Sequence, residues 1–415
     1  MNKKDKFFYG WWIVIASFMI MTFLYTPIVN LVSLYTKPVT EELAIGRTQF
    51  NTYYTIMALV SMVACPIAGK LMRKYDIRLY LTVCTVLGAL SYIGFAFSTK
   101  LMHFYLLAIP MGISLAGAAI IPTSVLITNW FVDKRGLSLG IALSGSGFGG
   151  IILSPINNWI ISTFSWRASY LITGISILVL IVPFTMFVIR FSPADLGLLA
   201  YGENKVSTNK KSKELVGITQ SQAIKSVSFW ALCLAIVVSG VVVNSMIVNL
   251  SPYLTDIGAS AQTAALILSL SSAMVIVGKL YVGRIFDKLG LKTVLLIIGI
   301  SNIASFVFLL KGNLLIPAVL YAVFTGFGAT AVTVTPSYIT ASLYGEKEYG
   351  AKYGIVSLFS SLGAAICPIV SGSIYNINNS YTTLLYVLIV LALVATGLFL
   401  LAAKTKPKFE GDQAN

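Results

Sequence analysis

Apolar runs of about twenty residues recur along the whole chain, and they constrain its fold more than any other feature. Each run is long enough to cross a hydrocarbon core of about 30 Å. The composition agrees, because 57% of the 415 residues are hydrophobic and only 10% are charged. These values exclude a soluble domain with a polar surface. We therefore expect a polytopic membrane protein whose spans are α-helices.

Twelve such runs predict twelve crossings of the membrane. If both termini lie in the cytoplasm, only five of the 29 basic residues fall outside, at Lys37, Arg47, Lys100, Arg167 and Lys311. This asymmetry satisfies the positive-inside rule. We expect a multi-pass protein of the plasma membrane and, separately from the charge pattern, a monomer. The asymmetry also explains the net charge of +15 without a nucleic-acid partner. The predicted spans are approximately residues 9–36, 48–71, 78–98, 103–131, 137–163, 168–190, 227–254, 261–284, 291–311, 314–342, 350–375 and 381–403.

Residues 192–226 form the longest polar segment of the chain. They divide it into a six-helix half at 1–191 and a second six-helix half at 227–415, which ends in a short cytoplasmic tail. We expect a cytoplasmic linker here, either flexible or carrying a short surface helix. A basic strip that binds lipid is compatible with the same segment.

Glycines and prolines of the first half recur in the second half at one constant spacing, the repeat spacing, which is the separation of Gly69 from Gly283. The positions of these two residue types are set by backbone geometry and close helix contact, so their coincidence predicts the same bends and packings in both halves. The matches fall in several separate helices. The matched pairs are Gly69 with Gly283, Gly112 with Gly326, Pro122 with Pro336, Gly136 with Gly350, Gly140 with Gly354, Ile141 with Ile355 and Gly149 with Gly363.

Two loops resemble the signature of the major facilitator superfamily, in which a glycine precedes an aspartate and a cluster of basic residues. The second copy runs from Gly283 through Asp287, and the first runs from Gly69 with Arg73 in place of the aspartate. The resemblance implies an all-α polytopic membrane protein with twelve transmembrane helices in two pseudo-symmetric six-helix bundles. It also implies a solute site at mid-membrane between the two repeats.

Within that superfamily the chain resembles the oxalate/formate antiporter and monocarboxylate porter group. The resemblance covers essentially the whole chain and implies transport of a small organic anion. The matching stretches are YGWW at Tyr9 to Trp12, SLYTKP at Ser33 to Pro38, NWFVDKRGLSLGIALSGSGFGG from Asn129 to Gly150, and SWRASYLITG at the start of span six.

By this assignment Lys279 is the single basic residue counted inside the membrane, because five others lie outside and the remaining 23 are counted as cytoplasmic. A charge at membrane depth is costly unless it pairs or faces water, and no aspartate or glutamate occurs inside an apolar run to pair with it. The group resemblance implies a substrate-binding cation here, generally an arginine. Ser272 lies two turns away on the same helix face, as a polar cavity wall requires. The alternative remains open that the lysine stem snorkels toward Arg284 and the interface.

Three other polar residues could line the same cavity. Tyr338 follows Pro336, where a bent helix would expose backbone to the cavity. Asn30 stands where relatives often carry a lysine or a tyrosine, and Asn244 lies in span seven. Hydrogen bonds between helices use the same residue types, so a purely structural role is the alternative for each of them.

The cytoplasmic loops carry opposite charges in the two halves and predict a gate. The start of span five is basic, whereas the start of span eleven is acidic. Ordinary positive-inside loops are the alternative. The expected contacts are Asp287 with Lys134, Arg135 or the amino end of span five, and Arg73 with Glu346 or Glu348.

These features predict a secondary active or facilitative transporter that moves a small organic anion, a monocarboxylate above all, by alternating access. One cavity charge disfavours a dianion, and the absence of an intramembrane carboxylate favours anion exchange or uniport over proton symport. An efflux carrier for apolar or drug-like compounds is the alternative on the same fold. We expect no enzyme, cofactor or metal, because no nucleophile, base and acid cluster together and four cysteines are scattered singly.

Overall fold

The computed structural model describes residues 8–202, 217–345, 347–378 and 380–407. Within these ranges twelve helices are long and apolar enough to cross a membrane, which confirms the predicted fold class. Their bounds are α1 Gly10–Asn30, α2 Arg47–Lys74, α3 Ile77–Ala96, α4 Leu101–Trp130, α5 Arg135–Thr163, α6 Trp166–Val188, α7 Val227–Asp256, α8 Ala261–Leu289, α9 Leu291–Leu309, α10 Leu315–Thr333, α11 Tyr349–Asn378 and α12 Thr382–Lys404.

Two of the twelve helices are extended by a further helical segment. The helix Val32–Glu42 continues α1 after a break at Leu31. The helix Thr335–Tyr344 continues α10 after a break at Val334. The short helix Gln220–Ile224 precedes α7, and the side chain of Thr219 caps it by accepting the backbone N–H of Gln222. This is a short helix at the carboxyl end of the segment predicted to be a linker.

The repeat is visible as helix breaks at matching places. Helix α4 breaks at Ala119, where ψ is −112°, three residues before Pro122. The tenth span breaks at Val334, two residues before Pro336. Proline has no backbone N–H and is tolerated in the first turn of a helix, where that donor would have no partner inside the helix. Each proline therefore lies early in a new helical segment.

Helix packing repeats as well. In the first half, a Cβ atom on Gly149 of α5 would lie 2.7 Å from the carbonyl oxygen of Thr22 in α1. In the second half, a Cβ atom on Gly363 of α11 would lie 2.8 Å from the Cα atom of Gly240 in α7. Thr26, which also lies against Gly149, and Gly240 are themselves related by the repeat spacing. The glycine run of α5 thus serves close helix contact.

Two compact units divide the described helices. Unit 1 contains residues Met1–Ile45 and Leu59–Ser212, and unit 2 contains Gly46–Ala58 and Lys213–Asn415. Helix α2 is continuous but belongs to both, because its first turns pack within unit 2. The predicted domain limits at 191 and 227 remain predictions.

Unit 1 contains a fully buried polar cluster. The Tyr35 hydroxyl donates to Asn157 Oδ1 over 2.9 Å, and the hydroxyls of Ser169 and Thr173 donate to the same oxygen over 2.7 and 2.9 Å. The Tyr35 ring stacks on Tyr170 at 3.9 Å. These contacts join the extension of α1 to α5 and α6, and buried polar groups satisfied in this way make the packing specific.

Candidate functional site

Lys279 lies half-buried on α8, next to a close contact between two helices of unit 2. A Cβ atom on Gly278 would collide with the carbonyl oxygen of Gly326, so α8 and α10 touch through their backbones there. Successive helix residues point about 100° apart, which turns Lys279 away from that contact line. Within the described part of the chain, no carboxylate pairs with the Lys279 ammonium and no hydrogen bond engages it.

Ser272 and Tyr338 both belong to unit 2. Ser272 is buried, and its hydroxyl donates to the carbonyl of Leu268 over 2.9 Å, which leaves its oxygen able to accept. Tyr338 packs against an apolar cluster that includes Val282, one turn after Lys279 on α8. The structure therefore brings Tyr338 to the stretch of α8 that carries Lys279.

Asn30 and Asn244 are related by the repeat spacing and so stand at equivalent places, yet their amides have different partners. The Asn30 amide donates to the carbonyl of Ser146 over 3.2 Å and thereby joins α1 to α5. The Asn244 amide donates to the carbonyl of Gly240 in its own helix over 2.8 Å. Both side chains are half-buried. Asn30 thus has an observed packing role, whereas the Asn244 bond joins no second helix.

Two of the predicted gate residues share an unusual backbone conformation. Lys134 and Glu348 are also related by the repeat spacing, and both have positive φ, at 56° and 48°. The Lys134 ammonium lies 5.6 Å from the ring centre of Tyr201, and Glu348 Oε2 accepts the backbone N–H of Gln220 over 2.7 Å. The side chains of Arg73, Arg135 and Asp287, and all of Glu346, lie outside the described residues.

Lys352 corrects the expectation that Lys279 is the only charge within a span. It lies in α11 and is completely buried, with 0% of its surface exposed. Its ammonium donates to the carbonyls of Ile218, Tyr344 and Gly345 over 3.0, 2.7 and 3.0 Å. Three carbonyls satisfy the three donors of an ammonium, so this charge is stabilised without a cavity. The charge count places Lys352 with the cytoplasmic basic residues, because it is only the third residue of the predicted span 350–375.

Arg47 is a second residue whose role the sequence did not reveal. Arg47 begins α2, and its guanidinium forms two hydrogen bonds with the carboxylate of Asp256, one of them 2.9 Å long. The same guanidinium lies 4.8 Å from the centre of the Tyr375 ring and 5.7 Å from that of Tyr381. Arginine suits this fork-like geometry and also binds to aromatic faces. The partners lie 209 residues apart in the chain, so no local pattern predicts the pair.

A model of the Major Facilitator Superfamily matches residues 10–315 and 232–415. The chain belongs to the Major Facilitator Superfamily. It is a multi-pass membrane transporter, and its family and relatives are those of transporters rather than enzymes. The predicted superfamily, and the resemblance to its monocarboxylate porters, are confirmed.

The relatives of this Major Facilitator carrier include several monocarboxylate transporters. Human monocarboxylate transporter 12 is 24% identical over 408 residues, covering 90% of this chain and 76% of the relative. Human monocarboxylate transporter 2 is 24% identical, with 90% and 81% covered. Rat monocarboxylate transporter 13 is 25% identical, with 83% and 75% covered.

Solved structures show the same fold. A bacterial homologue of the human lysosomal transporter Spinster, in an inward-facing and occupied conformation, has a TM-score of 0.71 at 15% identity, with 97% of this chain and 98% of that chain covered. The nucleoside transporter NupG has a TM-score of 0.74 at 14% identity, with 95% and 99% covered. At these identities the likeness shows the Major Facilitator fold alone.

Proposed function

We propose that this transporter carries a small organic anion, specifically a monocarboxylate, and that Lys279 binds its carboxylate. The observation that supports the proposal is the half-buried Lys279 ammonium, which no described carboxylate or hydrogen bond engages. A cation at membrane depth needs a counter-ion or water, and a substrate carboxylate supplies the counter-ion. The printed names of the relatives, monocarboxylate transporters 2, 12 and 13, agree with this assignment.

The charge balance of the site favours a monoanion. Lys352 is satisfied by three backbone carbonyls, and Arg47 is paired with Asp256. Neither cation is available to a second carboxylate. A monocarboxylate neutralises Lys279, whereas oxalate would leave one negative charge without a partner in a medium of low dielectric constant.

Tyr338, Ser272, Asn244 and Asn30 complete the proposed substrate site. Tyr338 packs in the cluster that contains Val282, one turn after Lys279, and the Ser272 oxygen can accept a hydrogen bond from a hydroxyl of the solute. Asn244 and Asn30 have amide oxygens for the same purpose, although the Asn30 nitrogen already holds α5. Lysine is a compact donor with rotatable bonds, so these neutral groups would select the orientation of the carboxylate.

We further propose that the carrier works by alternating access as an anion exchanger or a uniporter. No aspartate or glutamate occurs inside the apolar runs, and the single histidine, His103, stands near the start of α4. A carrier that couples to protons commonly needs such a group inside the membrane. Proton symport through Lys279 itself is the competing mechanism, and it predicts uptake driven by a pH gradient in vesicles that contain no counter-substrate.

The gate proposed from the sequence pairs acidic and basic residues at the ends of the spans. Asp287 would meet Lys134, Arg135 or the amino end of α5, and Arg73 would meet Glu346 or Glu348. Exposed pairs contribute about 0.2 to 1 kcal/mol each, which biases a conformational equilibrium without locking it. The charge swap Arg73→Glu with Glu348→Arg should restore transport that each single change impairs, and a swap that restores nothing would refute this pairing.

The same proposal places the carrier as a monomer in the plasma membrane with both termini in the cytoplasm and no nucleic-acid partner. The excess of basic residues on one side supports this orientation. A cysteine added after Asn415 should react with an impermeant thiol reagent only in permeabilised cells. Labelling in intact cells would show that the carboxyl terminus lies outside the cell and would contradict the proposed orientation.

Counterflow in proteoliposomes tests the substrate class. Vesicles loaded with unlabelled lactate should accumulate labelled lactate, pyruvate and formate, and should accumulate labelled oxalate at least tenfold more slowly. A preference for oxalate would contradict the single-cation site. If none of the labelled anions accumulated, and cells that express the protein became resistant to drugs, the efflux carrier would be favoured.

A further inference from the structure

A groove of about 400 Å³ opens in unit 2 between the start of α7 and the end of α12. Large apolar side chains line it. They are strongly exposed, with Val227 at 69%, Trp230 at 51%, Leu234 at 52% and Leu401 at 42%. Such exposure in membrane-spanning helices marks a surface that faces acyl chains. Leu398 of α12 and Lys225 also line the groove.

The groove is held open by contacts of its own walls. Behind the lining residues, the buried Ser228 hydroxyl donates to the carbonyl of Ala402 over 2.7 Å, which joins α7 to α12. At its mouth, the Trp230 indole donates to the carbonyl of Ile224 over 2.8 Å, which fixes the short helix Gln220–Ile224 beside α7. These two bonds connect the elements that form the walls of the groove.

The mouth of the groove is basic. Lys225 lines it directly. Lys404 lies three residues after Leu401 in α12, on the same helix face, and both lysines are exposed. Among the described residues, no carboxylate forms an ion pair with either ammonium. Two cations without partners thus stand at one end of an apolar groove, beside a tryptophan whose amphipathic ring suits the headgroup level of a bilayer.

We propose that this groove binds one anionic phospholipid of the surrounding bilayer. An acyl chain lies along Val227, Trp230 and Leu234 on one wall and Leu398 and Leu401 on the other. The phosphate is bound between Lys225 and Lys404. Basic pockets between transmembrane helices bind anionic headgroups by this combination of charge and apolar depth. The inference does not depend on which solute the carrier moves.

The lipid would also stabilise the carboxyl end of the segment between the two halves. Lys225 directly follows the helix Gln220–Ile224, and the Trp230 bond to Ile224 connects that helix to the groove. Phosphate bound at Lys225 therefore adds a further contact to a five-residue helix, which is too short to be stable by itself.

Native mass spectrometry of the whole protein tests this site. The protein is titrated with phosphatidylglycerol and, separately, with phosphatidylcholine of the same acyl chains. We expect one tight phosphatidylglycerol adduct. The double variant Lys225→Gln with Lys404→Gln should weaken that adduct about thirtyfold, because each lysine near an anionic lipid surface strengthens binding about fivefold. Binding of phosphatidylcholine should not change.

Three controls make the result specific. The variant Lys292→Gln with Lys311→Gln removes two exposed lysines outside the groove and should leave the adduct intact, and Lys225→Arg with Lys404→Arg should preserve it. Trp230→Ala should weaken both lipids. If the two lipids bind equally well, or if the glutamine variant keeps wild-type affinity for phosphatidylglycerol, the groove holds only ordinary boundary lipid and the proposal is wrong.

Discussion

Glu42 and Asp256 stand at the same place of the repeat, and each binds an arginine in a different way. Glu42 ends the extension of α1 and pairs with Arg167, while the Trp166 indole donates to its other oxygen over 2.6 Å. All three residues belong to unit 1. Asp256 ends α7 and pairs with Arg47, the first residue of α2. From Leu59 onward that helix belongs to unit 1.

Arg47 begins a polar stripe along the first turns of α2. Residues 47, 51 and 55 are four apart and share one helix face. Thr55 donates to the carbonyl of Ala365 over 2.9 Å, Asn51 to Asn249 Oδ1 over 3.4 Å, and Thr48 to Asn376 Oδ1 over 3.1 Å. Net contributions near 1 kcal/mol for each such bond allow the stripe to separate and re-form. Equivalent positions of the repeat have thus diverged, one into a contact within unit 1 and the other into a contact within unit 2 that involves a helix whose later turns belong to unit 1.

The largest effects should come from packing that the two halves share. Gly149→Leu and Gly363→Leu each force a side chain into the backbone of the facing helix, and overpacking of this kind costs about 1 to 3 kcal/mol or more. Both variants should lose most of their folded yield and unfold at lower temperature. Gly140→Leu and Gly354→Leu are matched controls, because a Cβ atom at either glycine has nothing within 4 Å. If Gly363→Leu kept its stability while Gly149→Leu lost it, the packing at the two positions would not be equivalent.

An intermediate effect should distinguish the two arginines. Arg47→Gln removes the ion pair with Asp256 and the contacts with two tyrosine rings, so the first turns of α2 should separate more often. The test uses a protein in which the four native cysteines are replaced and Asn51→Cys adds one buried thiol. The rate at which an impermeant maleimide modifies that thiol should rise about tenfold when Arg47→Gln is added. Arg167→Gln should leave that rate unchanged. Equal acceleration by both changes would remove the distinction between the pairs.

The smallest expected effect is the contribution of the Glu42–Arg167 pair to stability at acidic pH. The Arg167 guanidinium hydrogen-bonds Glu42 and holds the pKa of that carboxyl below its usual value. A carboxyl with a lowered folded-state pKa stabilises the fold above its unfolded-state pKa, near 4.3, and loses this contribution as the pH falls through the folded-state pKa. The melting temperature should therefore fall slightly more on acidification below about pH 4 in the wild type than in Glu42→Gln. Parallel curves would show that the pair contributes nothing measurable.

The sequence predicted the spans and the repeat because both depend on local properties. Hydropathy identifies a helix that must cross a bilayer, and glycine and proline mark backbone geometry wherever it recurs. Lys279 stood out because its surroundings in the chain are apolar. Lys352 did not, since the three carbonyls that satisfy it come from Ile218, Tyr344 and Gly345, which only the folded chain brings together. The Arg47 pair cannot be predicted from the sequence for the same reason, because its partner Asp256 lies 209 residues away in the chain.

The contrast between the halves is sharpest at Lys279, whose equivalent in the first half is the neutral Cys65. Counterflow of labelled lactate into lactate-loaded proteoliposomes, compared for wild type, Lys279→Arg, Lys279→Gln and the surface control Lys292→Gln, tests the central claim most directly. We predict that Lys279→Gln falls to the rate of empty vesicles, that Lys279→Arg retains part of the uptake because it keeps the charge, and that Lys292→Gln matches wild type. Wild-type uptake by correctly folded Lys279→Gln would contradict the assignment of Lys279 as the carboxylate-binding residue.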